Sequence, residues 1–517
     1  MTVVAETLAG RIEGFSKDGI NVFMGVPFAA PPLGKLRWLP PQPVEPWSGI
    51  KETKSFSPMS PQVVAPPDPN NPLQVGFSVD TSLGVQTEIN EDSLYLNVFT
   101  PGIDNARRPV MVWIHGGGFT RGTGSSPMYN GGLLANRGDV VVVSINYRLN
   151  VFGFMRLMDI TNDRIAATGN EGILDQVAAL EWVRDNITAF GGDPDNVTIF
   201  GESAGGASVC ALLSTPKAKG LFHKAISQSG SAHIAVSQEN ANHFAERFLK
   251  LLEVRNDDID ALQNLTVPQI LETYVKALTE MGGDIGPTEP VIDGKVFPKL
   301  PIRAIAEGSA DGIPLLAGTL SDEWRLWLAF DPALKDLTEA HMINRFKKRL
   351  RSLDPQATVD AYRRILAERG APTTPTDIYL AVMSDRMFRV PTIKLLETHE
   401  SRGNPAFGYL LTWKSPFKDG IFGACHAMDL GFLWGAYQSE FFGPEPAADT
   451  LSLNMQDAWM AFARSGEPAC EGLGKWPTYG KQRKTMLLGK ESGVTEAPYN
   501  EEVGIWDSAE DDVFSWA

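Results

Sequence analysis

Short apolar runs that break off into glycine-rich or acidic turns recur along the chain, and they predict strands whose ends carry chemistry. Residues 109–114, 197–200, 314–318 and 407–413 each read as a buried strand. The first runs into His115-Gly116-Gly117-Gly118-Phe119, the second into Gly201-Glu202-Ser203-Ala204-Gly205, and the third into Thr319-Leu320-Ser321-Asp322-Glu323-Trp324. The fourth comes shortly before Gly423-Ala424-Cys425-His426. A helix of small residues is expected over 206–211. The stretch 337–400 has a helical look, and the proline-rich segment 58–72 reads as a loop. No internal repeat is apparent.

The second of these turns is a Gly-x-Ser-x-Gly where a strand should give way to a helix. Glycines remove the side chains that would clash there, and the hydroxyl of Ser203 is held out above the sheet edge, which makes it a candidate nucleophile. A serine is a poor nucleophile at neutral pH, so a base, a group to orient it and donors for the oxyanion must also be present. The glycine loop after the first strand supplies the donors: the N–H groups of Gly117 and Gly118, with that of Ala204. Only seven histidines can serve as base. His115 belongs to the glycine loop, while His243, His341 and His399 sit in charged helical stretches and read as surface residues. His223 and His233 follow the nucleophile too closely for the chain order Ser, acid, His of α/β-hydrolases. His426 fits that order, and small neighbours leave its imidazole room; Cys425 beside it reads as a buried filler. The orienting acid belongs after the third strand, where spacing leaves both Asp322 and Glu323 open.

These motifs lie in an ordered series that resembles the type-B carboxylesterases, the α/β-hydrolase family that includes the cholinesterases. The series comprises Phe23-Met24-Gly25-Val26-Pro27-Phe28-Ala29, Glu91-Asp92-Ser93-Leu94-Tyr95-Leu96-Asn97, Asn146-Tyr147-Arg148-Leu149 and the long block from Gly169-Asn170 to the serine turn. The resemblance implies a mostly parallel twisted sheet with helices on both faces, a single α/β-hydrolase domain over 1–517, and 337–400 as a helical insertion forming a lid or substrate-side subregion. It places the family's acid on Glu323 and its late histidine on His426, with Trp324 standing where the family usually has glycine. Ser229 matches a position that supports the family's catalytic groups from behind. Glu202 has two readings, a cleft-lining negative charge or a buried hydrogen-bonded turn residue. The resemblance also implies two buried ion pairs, Arg37 with Glu91 and Arg148 with Asp175, since such charges are seldom buried unpaired. The expected activity is hydrolysis of neutral carboxylic esters through an acyl-enzyme. Two rival readings are a carbamate or amide hydrolase with the same triad, and a binding module that has kept only the fold.

Charge and cysteine usage narrow the partners. Lysine and arginine number 46 against 62 acidic residues, a net charge of −16, which disfavours nucleic acid and strongly anionic substrates. A small-molecule ester is expected, with no cofactor, no metal and no membrane partner, on a monomer or small homo-oligomer. The cholinesterases bind their cationic head group against a tryptophan just before the Glu91 motif. This chain has none between Trp47 and Trp113, so poor selectivity for choline esters is expected. There are three cysteines, Cys210, Cys425 and Cys470. Where secreted relatives carry an early disulfide, this chain has Ser60 and Ser93. With no basic start or apolar leader-like stretch at the N-terminus, a cytoplasmic, bacterial protein is expected.

Overall fold

The computed structural model describes residues 1–64, 73, 88–281, 288–443 and 446–515. Among these, fifteen strands follow one another: β1 (Thr2–Thr7), β2 (Gly10–Lys17), β3 (Ile20–Pro27), β4 (Ile50–Glu52), β5 (Tyr95–Thr100), β6 (Arg108–Ile114), β7 (Val141–Ile145), β8 (Gly192–Glu202), β9 (Lys224–Gln228), β10 (Val236–Ser237), β11 (Val291–Ile292), β12 (Leu315–Leu320), β13 (Ala406–Leu411), β14 (Lys484–Leu488) and β15 (Gly493–Glu496). Strands β10 and β11 form a small pair; the other thirteen make one sheet in the order β1-β2-β3-β5-β7-β6-β8-β9-β12-β13-β14-β15, with β4 beside β2. From β7 to β14 every neighbouring pair is parallel, and antiparallel strands flank this centre on both sides.

The parallel centre explains why the apolar runs do not alternate. All five residues of β7 and all six of β12 and β13 are buried, because helices cover the sheet. Glu171–Asn186, Ala204–Ser214, Val390–Ser401 and Pro446–Ser465 all pack against its strands. The register then aligns the strand ends. Glu202 of β8 lies beside Gln228 of β9, and Gln228 beside Gly318 of β12, so Ser203, Ser229 and Glu323 all emerge at one edge, the carboxyl ends of parallel strands.

Two expectations need correction. The stretch 337–400 is helical, as Glu339–Arg349, Pro355–Glu368, Pro375–Ser384 and Val390–Ser401, but the last of these packs on β12 and β13. It is a crossover helix of the α/β body, since two parallel strands must be joined by a covering segment. His399, read as a surface residue, is buried at the end of that helix, its Nε2 2.7 Å from the carbonyl of Ile313. The charged residues around it occupy the opposite side of the helix from the sheet. The loop expected over 58–72 lies outside the described residues from 65 on, as does most of the stretch before Glu91 in which the tryptophan is missing.

Both implied ion pairs are formed and buried. Arg37 grips Glu91 through Nε (2.7 Å) and a terminal nitrogen (2.5 Å), and donates further to the carbonyls of Gln263 and Leu265. Arg148 holds Asp175 at 2.8 Å through both Nε and a terminal nitrogen. The paired fork geometry, with extra carbonyl acceptors, offsets the desolvation of each charge. Ser60 Oγ accepts from Leu149 N–H, and the three cysteines are all free thiols. Among the described residues no helix is long and apolar enough to cross a membrane.

Candidate active site

Strand β8 ends at Glu202 and the helix Ala204–Ser214 begins two residues later, leaving Ser203 alone in the turn with φ 57° and ψ −122°. For a residue with a Cβ this conformation costs on the order of 1–3 kcal/mol and persists only where its surroundings impose it. They do so here: Ser203 N–H donates to Gln228 O at 2.9 Å, and its carbonyl accepts from Ala207 N–H at 2.8 Å. The flanking glycines are required by contact. A Cβ built on Gly205 would lie 2.0 Å from Ile114 O, and one on Gly201 would lie 2.5 Å from the carbonyl carbon of Gly205.

The glycine loop after β6 closes on this turn. A Cβ on Gly116 would stand 2.6 Å from Glu202 O and 3.1 Å from Ser203 Cβ. Gly117 and Gly118 both have positive φ, and among the described residues no acceptor takes the amide hydrogen of Gly117, Gly118 or Ala204. His115 is fixed beneath the loop, stacked on Tyr147, whose hydroxyl donates to His115 O. Burial pushes the His115 imidazole down to about 4, so it is neutral there.

The acid and the base meet. Glu323, fully buried, takes His426 Nδ1 at 2.6 Å, while its other oxygen accepts from Ser229 Oγ at 2.6 Å and from Leu320 N–H at 2.8 Å. Its own carbonyl accepts from His426 N–H. Of the two adjacent acids, Glu323 is therefore the one that holds the imidazole. Asp322 instead accepts from Ala424 N–H at 3.1 Å and donates its own N–H to Ala424 O, which pins the loop that carries His426.

The other imidazole nitrogen does not bond Ser203. Among the described residues no hydrogen bond joins the Ser203 hydroxyl to His426; Nε2 stands 3.1 Å from Glu202 Oε1, an oxygen with no aligned donor. Glu202 is thus buried and charge-coupled, and neither of its two expected roles describes it fully. A third carboxylate, Asp429, accepts from Gln228 Nε2 at 2.8 Å and from the Tyr409 hydroxyl at 3.1 Å. Burial, reinforced by Asp429 and Glu323, pushes Glu202 up to about 8; burial likewise lifts Asp429 to about 6. For His426 burial opposes the cation, but Glu202 and Glu323 outweigh it and raise the imidazole to about 9.

Sequence reasoning missed three contributors. Asp429 is three residues after His426, in the first turn of the helix Met428–Trp434, and that spacing of an acid from a base was its only signal. Trp327 and Phe388 pack on the imidazole, with ring centroids 5.4 and 4.5 Å from it. Phe388 comes from a π-turn about sixty residues beyond the acid, and nothing local in the sequence announces it.

A parallel sheet with a strained serine between strand and helix, a glycine loop in front of it and an acid–imidazole pair at the same edge defines an α/β-hydrolase fold. Comparison with known proteins narrows this further: the model of the carboxylesterase family matches residues 1–506. The chain is 36% identical to the para-nitrobenzyl esterase of Bacillus subtilis over 96% of its own length and 97% of that protein. It is 35% identical to the liver carboxylesterase of Sus scrofa, with 97% and 92% covered. A solved carboxylesterase of Geobacillus stearothermophilus superposes with a TM-score of 0.85 at 37% identity, covering 98% of this chain and all of that one. The chain therefore belongs to the carboxylesterase family and is a carboxylic ester hydrolase.

Proposed function

We propose that Ser203 is the nucleophile of this esterase, His426 its general base and acid, and Glu323 the residue that orients the imidazole. The N–H groups of Gly117, Gly118 and Ala204 form the oxyanion hole, and Ser229 steadies Glu323. As Ser203 Oγ bonds the ester carbonyl carbon, its proton passes to Nε2, and the carbonyl oxygen becomes an oxyanion facing the three amides. Collapse breaks the bond to the alcohol, whose oxygen takes the proton from Nε2. Water then attacks the acyl-enzyme by the same route, giving its proton to Nε2 and releasing the acid as Ser203 recovers its hydrogen. The imidazole must part from Glu202 to reach Ser203, and such catalytic hydrogen bonds tighten when substrate binds.

The observation that carries this reading is the 2.6 Å bond between Glu323 and His426 at the strand edge where Ser203 stands in its strained turn. Neutral esters are the substrates it favours, because the net charge is −16 and the cluster around the imidazole is itself acidic. The helices Glu339–Arg349, Pro355–Glu368 and Pro375–Ser384 serve as the substrate-side part of one domain; Ser384 Oγ accepts from the backbone of Trp324, next to the acid. Three unpaired cysteines favour a reducing cytoplasm. The decisive experiment treats the enzyme with an organophosphate and maps the adduct by mass spectrometry, beside ester turnover by Ser203→Ala. The adduct is expected on Ser203 and turnover is expected to fall to background; turnover that survives in the variant would end this assignment.

A further inference from the structure

The turn that carries Glu323 is held on both sides of the acid by one short segment from elsewhere in the chain. Ahead of it, Ser321 O accepts from a terminal nitrogen of Arg389 at 2.6 Å; after it, Trp324 N–H donates to Ser384 Oγ at 2.9 Å. Ser384 and Arg389 are five residues apart and bracket a π-turn, Asp385–Arg389, closed by a bond from Val390 N–H to Asp385 O. In an α-helix of about 3.6 residues per turn, positions five apart point to different sides. The bond between i and i+5 widens the turn, so five residues come closer to one revolution and both side chains address the same loop. Each is fixed from behind. Ser384 Oγ gives its own hydrogen to Leu380 O at 2.7 Å, which leaves its lone pairs for Trp324. Arg389 is buried, pairs with Asp385 and lies over the Tyr499 ring, 3.8 Å from guanidinium carbon to centroid. Asp385 accepts in turn from the Tyr362 hydroxyl at 2.5 Å, and that oxygen accepts from Trp506 Nε1 at 2.8 Å. A buried polar network satisfied in this way is rigid.

We propose that Ser384 and Arg389 are positioning residues for Glu323: they fix the backbone on either side of the acid and so set its reach to His426. The inference rests on the triad reading above. Ser229, Leu320 N–H and His426 Nδ1 all act on the carboxylate, and they find it only where the backbone delivers it. Glu323 opens a 3-10 helix, Glu323–Ala329, whose hydrogen-bond geometry is poorer than that of an α-helix and holds its first residue weakly. Asp322 ties the turn to the loop of His426, whereas Ser384 and Arg389 tie it to the α/β body, because the π-turn runs directly into the helix Val390–Ser401 that packs on β12 and β13. The guanidinium suits this task. One nitrogen is neutralised by Asp385 while another remains free to donate to Ser321 O, which the single ammonium of a lysine cannot do with the same fixed geometry. A shifted acid would loosen the bond that keeps the imidazole in its useful tautomer.

The test measures turnover of phenyl acetate by Ser384→Ala, Arg389→Met and the double variant. We expect kcat to fall about 3- to 10-fold in Ser384→Ala and about 10-fold or more in Arg389→Met, since each loses a bond to the turn and a misplacement of about 1 Å costs on the order of 10²-fold. KM should change little. Because both residues act on one turn, the double variant should lose little more than Arg389→Met alone. The second readout is the downfield proton resonance of His426 Nδ1–H, which reports its bond to Glu323 and should move upfield in Ser384→Ala. Arg389→Met strands the buried Asp385 without its counter-charge. Should that variant fail to fold, Ser384→Ala, which removes no charge, decides through kcat and the resonance. An unchanged kcat or an unmoved resonance in folded Ser384→Ala, a loss confined to KM, or losses that multiply in the double variant overturns the proposal. Full turnover by Glu323→Gln would instead overturn the triad reading on which it stands.

Discussion

Replacing Glu202 by glutamine tests the electrostatics of the site most directly, because the amide keeps the volume and removes the charge. With 3.1 Å between Glu202 Oε1 and His426 Nε2, Coulomb's law at an effective permittivity near 20 gives an attraction of about 5 kcal/mol as a ceiling. The real effect is smaller, because burial pushes the Glu202 carboxyl itself up to about 8 and its neutral form exerts no such pull. Opposite charges at this range typically shift a pKa by about 1–3 units, and we expect the imidazole to fall by about one to two. The sign follows from His426 being held up, to about 9, against the burial that would lower it. A base with a raised pKa becomes neutral only as pH climbs through that value, so the rising limb of kcat/KM should move to lower pH in Glu202→Gln. The assay is a pH-stat profile from about pH 5 to about pH 10 with an uncharged ester, which reports the groups of the free enzyme. A limb that stays in place, or moves to higher pH, would refute the idea that the Glu202 carboxylate sustains the imidazolium.

Two further substitutions probe the support of the site and of the fold. Ser229→Ala removes the 2.6 Å donor to Glu323, leaving Leu320 N–H and His426 to hold the carboxylate, and kcat should fall by about tenfold with KM little changed. Unchanged kcat would mean that Ser229 fills space and no more. Asp175→Asn leaves the buried Arg148 without its counter-charge and should cost about 3–5 kcal/mol of stability. Urea unfolding should show this as a lower midpoint; an unchanged midpoint would contradict the pairing.

What could be read from the sequence was what depends on the backbone. The elbow at Ser203, the glycine loop and the strands feeding them are legible because Gly116, Gly201 and Gly205 stand where any Cβ would strike neighbouring backbone. A steric demand of that kind leaves a residue type at a fixed offset from Ser203. The position of His426 was legible by chain order and the scarcity of histidines. The surroundings of the imidazole were not. Asp429, Trp327 and Phe388 arrive from three separate elements, and they matter through distances that no spacing rule encodes. The burial of His399 was missed for a related reason, since a charged stretch can be a helix with one face on a sheet, and composition averages the two faces.

The hidden part is also the part that sets the chemistry. Glu202, Glu323 and Asp429 all approach one imidazole in a buried site, yet their partners differ. Glu323 accepts from three donors, Asp429 from two, and Glu202 Oε1 from none that is aligned. A buried carboxylate is best supported where donors converge, as they do on Glu323 behind Nδ1, whereas burial drives the under-supported Glu202 toward its neutral form. That asymmetry gives the imidazole a firmly held partner behind Nδ1. On the Nε2 side, where the proposed mechanism moves protons, it has Glu202, a carboxyl that burial pushes toward its neutral form. On the proposed triad the imidazole has to leave Glu202 to reach Ser203, which requires Glu202 to be the weaker-held neighbour, and the unpartnered Oε1 agrees with that.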